Sequence, residues 1–487
     1  MAKLISKTKY MLGLQCPKLL WYYFNAAEEI PEMDEDTKAT IEQGKLVGEY
    51  AKKLYPQGVN VPTKTFMGRI NNSKELVQKR VPLFEPGFMV EDCYAQADIL
   101  LPVEENEWDI IEVKSATQVK DEYYDDVAFQ KYVYEKAGLK IRNCFVLHIN
   151  NQYMKIGELD LKELFIEEDI TEQVVARQVD IPSNLIEFRK IIYTKQKPEQ
   201  KIGQYCDKPY RCILYEKCWA FLPEKNVFSL YYGKKKAYEL FADNILKIKE
   251  IPADHKLSDK QKIQVEAINK NEPVINKKSI KSFLEEITYP AYYLDFETFN
   301  TAIPMFDYSR PYEHISFQFS LHVVEKAKAE PKHYSFLAKG NKDPRPEFIE
   351  QLKSVLGNKG SIIAFNAGFE KKAIEVCVQA AADYQSWAEV VFARIVDLIL
   401  PFRNFDYYHP AQNGSASLKK VLPALVGKSY DNMDIGDGMT ASREYFRVTY
   451  TPENKDKEKI LKALEEYCSL DTLGMVDIVN KLYDLVY

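Results

Sequence analysis

Two carboxylates, Asp295 and Glu297, stand one residue apart in the run Tyr293-Leu294-Asp295-Phe296-Glu297-Thr298. The run otherwise has the composition of a buried β-strand, in which alternate side chains point to the same face. Two acids side by side on a buried face repel each other and lose their hydration, so a divalent cation between them is the expected reason for such a pair. The pair therefore predicts a metal site.

Two later segments supply acids that could join this pair. The segment 361–366 predicts a strand, and the helix that follows it places Glu370 at a strand-to-helix corner. In the last predicted helix, Tyr467 and Asp471 are four residues apart and share one face. Four such acids could bind two Mg²⁺ or Mn²⁺ ions about 3.5–4 Å apart, the spacing that stabilises attacking and leaving oxygens in phosphodiester cleavage. Tyr467 would orient the attacking water.

The order of these motifs is Asp-x-Glu, then Asn-x-x-Phe-acid, then Tyr-x-x-x-Asp. Over residues 289–487 it resembles the tyrosine-containing branch of the DEDD (DnaQ-like) proofreading exonuclease superfamily. The resemblance implies an RNase H-like fold, 3′→5′ exonuclease chemistry and four metal ligands. Those ligands would be Asp295, Glu297, Glu370 and Asp471, with Tyr467 as the catalytic tyrosine.

One departure from the family concerns its second motif, which usually ends in Asp where this chain has Glu370. Asp397 is the reserve candidate for a metal ligand. Any one of these acids taken alone could be a helix cap or a solvated surface residue, but their joint order makes that interpretation less favoured.

A second acidic site is expected in the N-terminal part of the chain. Glu112 and Lys114 are predicted to share a strand face, and Asp98 is expected on the neighbouring strand. Two carboxylates there could hold Mg²⁺ while the Lys114 ammonium positions the attacking water or stabilises the pentavalent phosphate. The helix that follows places Gln130 and Tyr134 on one face.

An acid followed by Glu-x-Lys resembles the PD-(D/E)xK, or restriction-endonuclease-like, nuclease fold. The Gln-x-x-x-Tyr pair resembles its RecB-like branch, which includes CRISPR-associated exonucleases. The resemblance implies two metal ligands and three catalytic residues: Asp98 and Glu112, and Lys114, Gln130 and Tyr134. The early helix lacks the His expected in this branch, and Glu49 is the substitute considered for it. Glu-x-Lys on its own is more often a salt bridge on a strand.

Four of the eight cysteines form a distinct pattern. Cys206, Cys212 and Cys218 are separated by five residues each, and Cys16 lies 190 residues before the first of them. One early and three late cysteines resemble the iron–sulfur staple of RecB-like nucleases, which implies a [4Fe–4S] cluster on these four thiolates. Four thiolates also suit tetrahedral Zn²⁺, so zinc stays open as the alternative.

A chain of 487 residues is too long for one ordinary core, and the alternation of strands and amphipathic helices indicates the α/β class. Three segments are expected. They are a RecB-like PD-(D/E)xK domain with the cysteines (1–222), a helical Lys-rich connector (223–285) and a DEDD-type domain with an RNase H-like mixed sheet (286–487). The connector is either a solvated helical segment or a track for phosphates.

The net charge of −6 does not indicate a generally basic, phosphate-binding surface. No stretch approaches the roughly 20 apolar residues of a membrane span, and no secretory segment is recognised, so a cytoplasmic location without membrane contact is expected.

The whole pattern resembles an uncharacterised bacterial family that joins two nuclease domains. It implies a metal-dependent nuclease with DNA as the expected partner, acting in repair, recombination or defence. Two alternatives remain: a non-catalytic nucleic-acid-binding scaffold, and an RNA-processing exonuclease whose zinc-stapled first domain docks the substrate. Protein partners and oligomeric state are not predicted.

Overall fold

The computed structural model describes residues 3–104, 106–431, 433–451 and 456–487. It is a mixed α/β protein, which confirms the expected fold class, and its chain divides into two compact units. Unit 1 comprises Met1–Phe221, Thr301–Met305 and Arg310–Tyr312, and unit 2 comprises Leu222–Asn300, Phe306–Ser309 and Glu313–Tyr487. In the described part of the chain, no helix is both long enough and apolar enough to span a membrane.

Unit 1 contains short strands and helices that alternate along the chain. The strands are β1 (Ile5–Ser6), β2 (Val59–Asn60), β3 (Leu83–Phe84), β4 (Gly87–Val90), β5 (Cys93–Gln96), β6 (Ile99–Pro102), β7 (Glu107–Lys114), β8 (Lys140–Ile149) and β9 (Phe165–Asp169). The helices are α1 (Lys7–Gln15), α2 (Pro17–Asn25), α3 (Glu35–Lys52), α4 (Phe66–Leu76), α5 (Asp121–Lys136), α6 (Leu161–Leu164), α7 (Thr171–Gln178), α8 (Ile181–Tyr193) and α9 (Tyr215–Trp219).

Among the described residues, the strands of unit 1 form a six-stranded sheet in the order β2-β3-β6-β7-β8-β9 and a smaller sheet in the order β1-β5-β4. The larger sheet is mixed, because β7 pairs antiparallel with β6 and parallel with β8. The middle of β7 is buried, as expected for a strand covered on both faces. Helix α5 packs on this sheet, and Phe129 of α5 stacks on Tyr10 of α1 at 4.5 Å between ring centroids. The first helix is thereby fixed beside the central strands.

Unit 2 contains the remaining elements. The strands are β10 (Val274–Ile275), β11 (Ala291–Phe299), β12 (Ile315–Val324), β13 (Lys332–Leu337), β14 (Ile362–Ala364), β15 (Ile395–Asp397) and β16 (Tyr407–Tyr408). The helices are α10 (Lys234–Ala242), α11 (Asp259–Lys270), α12 (Lys277–Glu285), α13 (Arg345–Val355), α14 (Gly368–Ala380), α15 (Gln385–Phe392), α16 (Leu400–Arg403), α17 (Leu418–Val426), α18 (Gly438–Tyr450) and α19 (Lys457–Val486).

In the residues that the structure describes, the main sheet of unit 2 has five strands in the order β13-β12-β11-β14-β15. The first three are antiparallel, and β14 and β15 run parallel to β11. Phe296 of β11 joins a core with α13 and α14, whereas Tyr293 joins a core with α19. Because strand side chains alternate, Asp295 and Glu297 share the face of Tyr293, which is the α19 side.

Residues 223–285 belong to unit 2 and have a small core of their own around Val227, Leu240 and Ile268. This segment packs tightly against the loop that precedes α17. A Cβ built on Gly414 would lie 1.9 Å from the carbonyl oxygen of Ser229, and the φ of Gly414 is +75°. Glycine is therefore required there, both for the left-handed backbone and for the close approach.

Candidate functional site

The first candidate site lies between β11 and α19 in unit 2. A carboxylate oxygen of Asp295, a carboxylate oxygen of Glu297 and Sγ of Cys468 all lie within 4.8 Å of one another. The Cys468 thiol also contacts Oδ2 of Asp295 at 3.5 Å. Regular pairing of β11 with β12 shifts directly after Glu297, so the acids stand where the strand ladder becomes irregular. This group has the donor atoms and the spacing to hold one metal ion.

Asp471 lies one helical turn beyond Tyr467 on α19, and its Oδ1 accepts a hydrogen bond from the Tyr430 hydroxyl. Burial raises the pKa of Asp471 to about 6, although the Tyr430 hydrogen bond and the charge of Lys419 oppose the rise. Burial and the charge of Asp471 raise the pKa of Asp295 well above its usual range. Converging carboxylates that resist ionisation in this way are the electrostatic pattern that a bound cation would relieve.

Glu370 sits in the first turn of α14 and is buried. Among the described residues its Oε2 atom has no hydrogen-bond partner. Burial raises the pKa of Glu370 to about 8, and the charge of Asp397 adds to the shift. Glu370 and Asp471 are not part of the 4.8 Å group. The structure thus gathers two of the four expected ligands tightly and places the other two in the electrostatic surroundings of the pair.

Asp397, the reserve candidate, is occupied by backbone groups. Its Oδ1 accepts hydrogen bonds from the amides of Asn366 at 2.9 Å and Ile399 at 3.2 Å. A carboxylate used in this way fixes the turn after β15 and has less capacity left for a metal.

The acids Asp295 and Asp471 open into a cleft of about 580 Å³ within unit 2. Tyr467 lines it too, and burial together with the charge of Asp471 raises the pKa of this phenol, which keeps its proton at neutral pH. Lys419 also lines the cleft, donates to the carbonyl of Gly436 at 2.6 Å, and lies 5.5 Å from the centroid of the Tyr467 ring. The cleft therefore combines acids, a phenolic donor and a cation.

The second candidate site lies in unit 1 around Glu112, which is buried on β7. Its Oε1 accepts from Lys7 at 2.8 Å and from Lys114 at 2.7 Å, and its Oε2 accepts from Gln130 at 2.8 Å. Sequence reasoning identified Glu112, Lys114 and Gln130 but missed Lys7. No local pattern in the chain indicates that Lys7, 105 residues away, would contact Glu112.

Asp126 of α5 is the other residue that sequence reasoning missed. It accepts from Lys114 at 2.7 Å and from Gln130 at 3.0 Å, and it pairs with Lys7 at 3.3 Å. Burial opposes its ionisation, but the charges of Lys114 and Lys7 hold the pKa of Asp126 below its usual range. A signal was present, because Asp126 precedes Gln130 by four residues and so shares its helix face.

Asp98 lies in the turn directly before β6 and not on the strand itself. Its Oδ2 accepts from the amide of Val113 at 2.8 Å, which ties this bend to the end of β7. Burial and the charge of Glu112 raise the pKa of Asp98 to about 7. Asp98 therefore lies close enough to Glu112 for their charges to interact.

The remaining residues predicted for this site differ in how close they lie to the acids. The Tyr134 hydroxyl accepts from the amide of Ala97 at 2.9 Å and donates to the carbonyl of Pro86, so it positions the backbone beside Asp98. Glu49 pairs with Lys52 at 2.6 Å on an exposed surface and does not join the acids. Within the described part of the chain, Oε1 of Gln130 is buried without a hydrogen-bond partner, an atom that a metal or water could satisfy.

The four expected cysteines of unit 1 come together around a small cavity of about 20 Å³: Cys16, Cys206, Cys212 and Cys218. All four are free thiols. Burial, together with the charges of the other three thiols, raises the pKa of Cys212 to about 11. Among the described residues, no three of these sulfurs lie within 4.8 Å of one another. Tetrahedral zinc with Zn–S bonds of about 2.3 Å needs sulfurs about 3.8 Å apart.

Comparison with known proteins gives similarities without a described activity. A family model described as "Domain of unknown function (DUF2779)" matches residues 292–417. This range contains Asp295, Glu297 and Glu370, and Asp471 lies beyond it.

Two curated relatives are similar over less than half of the chain. The "Uncharacterized protein MG366 homolog" of Mycoplasma pneumoniae is 25% identical over 231 residues, which is 42% of this chain and 34% of that protein. The "Uncharacterized protein MG366" of Mycoplasma genitalium is 26% identical over 214 residues, which is 40% of this chain and 32% of that protein. The chain matches about a third of the length of these curated relatives.

Proposed function

We propose that the chain is a metal-dependent nuclease with 3′→5′ exonuclease chemistry in unit 2. The observation that carries the proposal is the convergence of Asp295 and Asp471 at a cleft, with Glu297 grouped beside Asp295. Burial raises the pKa values of all three acids, and neighbouring charge raises those of Asp295 and Glu297 further. The mixed five-stranded sheet, with helices on both faces, supports an RNase H-like domain.

In this proposal, Asp295, Glu297 and Asp471 hold Mg²⁺ or Mn²⁺, and Glu370 is the carboxylate available to a second ion. When bound, the metal supplies Lewis-acid stabilisation of the attacking and leaving oxygens. The protonated Tyr467 phenol orients the attacking water by hydrogen bonding. Lys419 supplies positive charge beside the acids, where the phosphodiester would lie.

Unit 1 is proposed as a second nuclease domain of the RecB-like PD-(D/E)xK type. Its mixed six-stranded sheet supports this, as does the contact of Glu112 with both Lys114 and Gln130. Asp98 and Glu112 would hold the metal, and Lys114 would act on the water or the phosphate.

A second candidate function for unit 1 is binding of nucleic acid without cleavage. Lys7 and Lys114 both donate to the same Glu112 oxygen, so a metal ion would have to compete with two ammonium groups. This arrangement favours a site neutralised by lysines over one that requires a cation.

For the four thiols we propose a [4Fe–4S] cluster, with Zn²⁺ as the alternative. They converge on one cavity, and one early cysteine with three late ones is the arrangement that resembles the iron–sulfur staple of RecB-like nucleases. The cluster would tie Cys16 to the segment 206–218. Iron and acid-labile sulfide in anaerobically purified, brown protein would support the cluster. Stoichiometric zinc in colourless protein would support the zinc alternative instead.

The nuclease proposal is tested by digestion of end-labelled single- and double-stranded DNA and RNA in Mg²⁺ or Mn²⁺. Wild type is compared with Asp295→Ala and Glu112→Ala. We expect DNA to be the preferred substrate and Asp295→Ala to abolish 3′→5′ digestion. Tight binding without cleavage by the wild type would favour the scaffold function, and preference for RNA would favour RNA processing. A role in repair, recombination or defence follows only from the DNA outcome.

A further inference from the structure

We propose that Tyr231 and Tyr232 form a stacking platform for the bases of an unpaired nucleic-acid end. The inference rests on the proposed function of unit 2 and adds the form of its substrate. Both tyrosines line the same cleft as Asp295 and Asp471. They belong to the segment 223–285, which lies outside the region that resembles the exonuclease family.

The backbone presents Tyr232 to solvent in an unusual way. The amide of Gly233 donates to the carbonyl of Leu230 at 2.9 Å and closes a tight turn with the two tyrosines at its tip. Tyr232 has a φ of +46°, a left-handed conformation that is rare for a bulky aromatic residue. The residue is 90% exposed. Strained backbone of this kind persists where the surrounding structure enforces it and is concentrated at functional sites.

Tyr231, by contrast, is held firmly in place. Its amide donates to Oε1 of Gln264 at 2.8 Å, and its carbonyl accepts from Nε2 of Gln261 at 3.0 Å. Its ring packs edge-on against Phe405 with centroids 4.8 Å apart, and the Tyr232 ring meets it edge-on at 4.6 Å. The outer ring therefore rests on a rigid inner ring, and its free surface is available to a ligand.

The remaining lining of the cleft suits a phosphate backbone. Arg403 and Lys419 supply positive charge, and Arg403 donates to Oδ1 of Asn366 at 3.0 Å, which fixes the guanidinium beside the cleft. Exposed aromatic rings combined with a cationic groove are the features by which proteins hold single strands, because every base offers a π-face. A base inside a duplex is stacked on both sides and cannot use the platform. The occupant that fits is an unpaired end.

Binding is measured by fluorescence of a short single-stranded oligodeoxynucleotide with 2-aminopurine at its 3′ end, with Ca²⁺ replacing Mg²⁺. We expect Tyr232→Ala to weaken binding about tenfold, the loss typical of one base–aromatic stack, and to reduce the quenching of 2-aminopurine. Tyr232→Trp should restore both. In Mg²⁺, Tyr232→Ala should raise KM for the single strand and leave kcat nearly unchanged.

Tyr487→Ala is the matched control, because Tyr487 is a 70% exposed tyrosine of the same unit that does not line the cleft. Wild-type affinity and quenching in Tyr232→Ala would overturn the platform, and an equal loss for a blunt duplex would overturn the preference for an unpaired end. Failure of the nuclease proposal is seen separately, as undiminished digestion by Asp295→Ala.

Discussion

Stability measured with and without Mg²⁺ tests the acid cluster of unit 2 independently of any substrate. Asp295→Asn keeps the size of the side chain and removes one of the carboxylates that converge between β11 and α19. Without metal, burial and the charges of Asp471 and Glu297 oppose the ionised form of Asp295, and a neutral amide removes that penalty, so the variant should be at least as stable as wild type. With metal, the variant lacks one ligand, so Mg²⁺ should add little to its stability.

The expected magnitude follows from binding linkage. A ligand present at 100 times its Kd stabilises the folded state by about 2.7 kcal/mol. For a domain of this size, 1 kcal/mol corresponds to about 2–4 °C in Tm, so saturating Mg²⁺ should raise the Tm of wild type by roughly 5–10 °C. The rise should be small or absent in Asp295→Asn.

The assay is thermal unfolding followed by circular dichroism in EDTA and in a Mg²⁺ titration. Asp477→Asn is the matched control: Asp477 lies on α19, the helix that carries Asp471, and pairs with Lys428 at 2.6 Å, away from the cleft. It should keep the full Mg²⁺ response. A wild-type response in Asp295→Asn, or a much lower Tm of that variant in EDTA, would refute the reasoning that the acids are held for a cation.

Three further predictions concern other parts of the chain. Cys212→Ser should lose the bound metal and lower the Tm of unit 1, because it removes a ligand that closes a very long loop. Metal analysis and calorimetry test this. Cys93→Ser is the control and should keep the metal. Lys7→Met should lower stability in EDTA by about 1–3 kcal/mol, because Glu112 and Asp126 lose one of their two ammonium partners while Lys114 stays in contact with both. The same change should strengthen Mg²⁺ binding. Urea unfolding with and without Mg²⁺ tests both effects, and two unchanged responses would contradict them. Burial and the neighbouring His333 lower the pKa of His322 to about 4, below the usual value of about 6.5. The stability that neutral His322 contributes is therefore full above pH 6.5 and is lost as the pH falls towards 4. In unfolding curves over this pH range, the stability of His322→Phe should decline less steeply than that of wild type, and an equal slope would argue against this prediction.

Local periodicity predicted the elements that carry the unit 2 acids. Strand alternation placed Asp295 and Glu297 on one face, and the four-residue step placed Tyr467 and Asp471 on one face of α19. Cys468 precedes Asp471 by three positions and so also faces the acids, although it belongs to none of the motifs identified in the sequence. The thiol of Cys468 joins the two carboxylates as a possible metal ligand because of the way α19 packs against β11. The sequence of the helix does not specify this packing.

Contacts between distant segments were beyond local patterns. Lys7 reaches Glu112 only because α1 packs on α5 through Tyr10 and Phe129. The core of the segment 223–285 could not be predicted from α-helical spacing, because Val227 begins a short 3-10 helix and Leu230 directly follows it. Whether the three predicted domain limits correspond to independent folding units stays a prediction.

Helix α1 limits the insertions and deletions that the N-terminal region can tolerate. Lys7 stands in its first turn, and Cys16 directly follows its last residue, so one short helix connects the charged site with the thiols. One inserted residue would rotate Cys16 by about 100° and move it about 1.5 Å relative to Lys7. Insertions and deletions between these two residues should therefore be rejected in evolution, even where single substitutions on the exposed side of the helix are accepted.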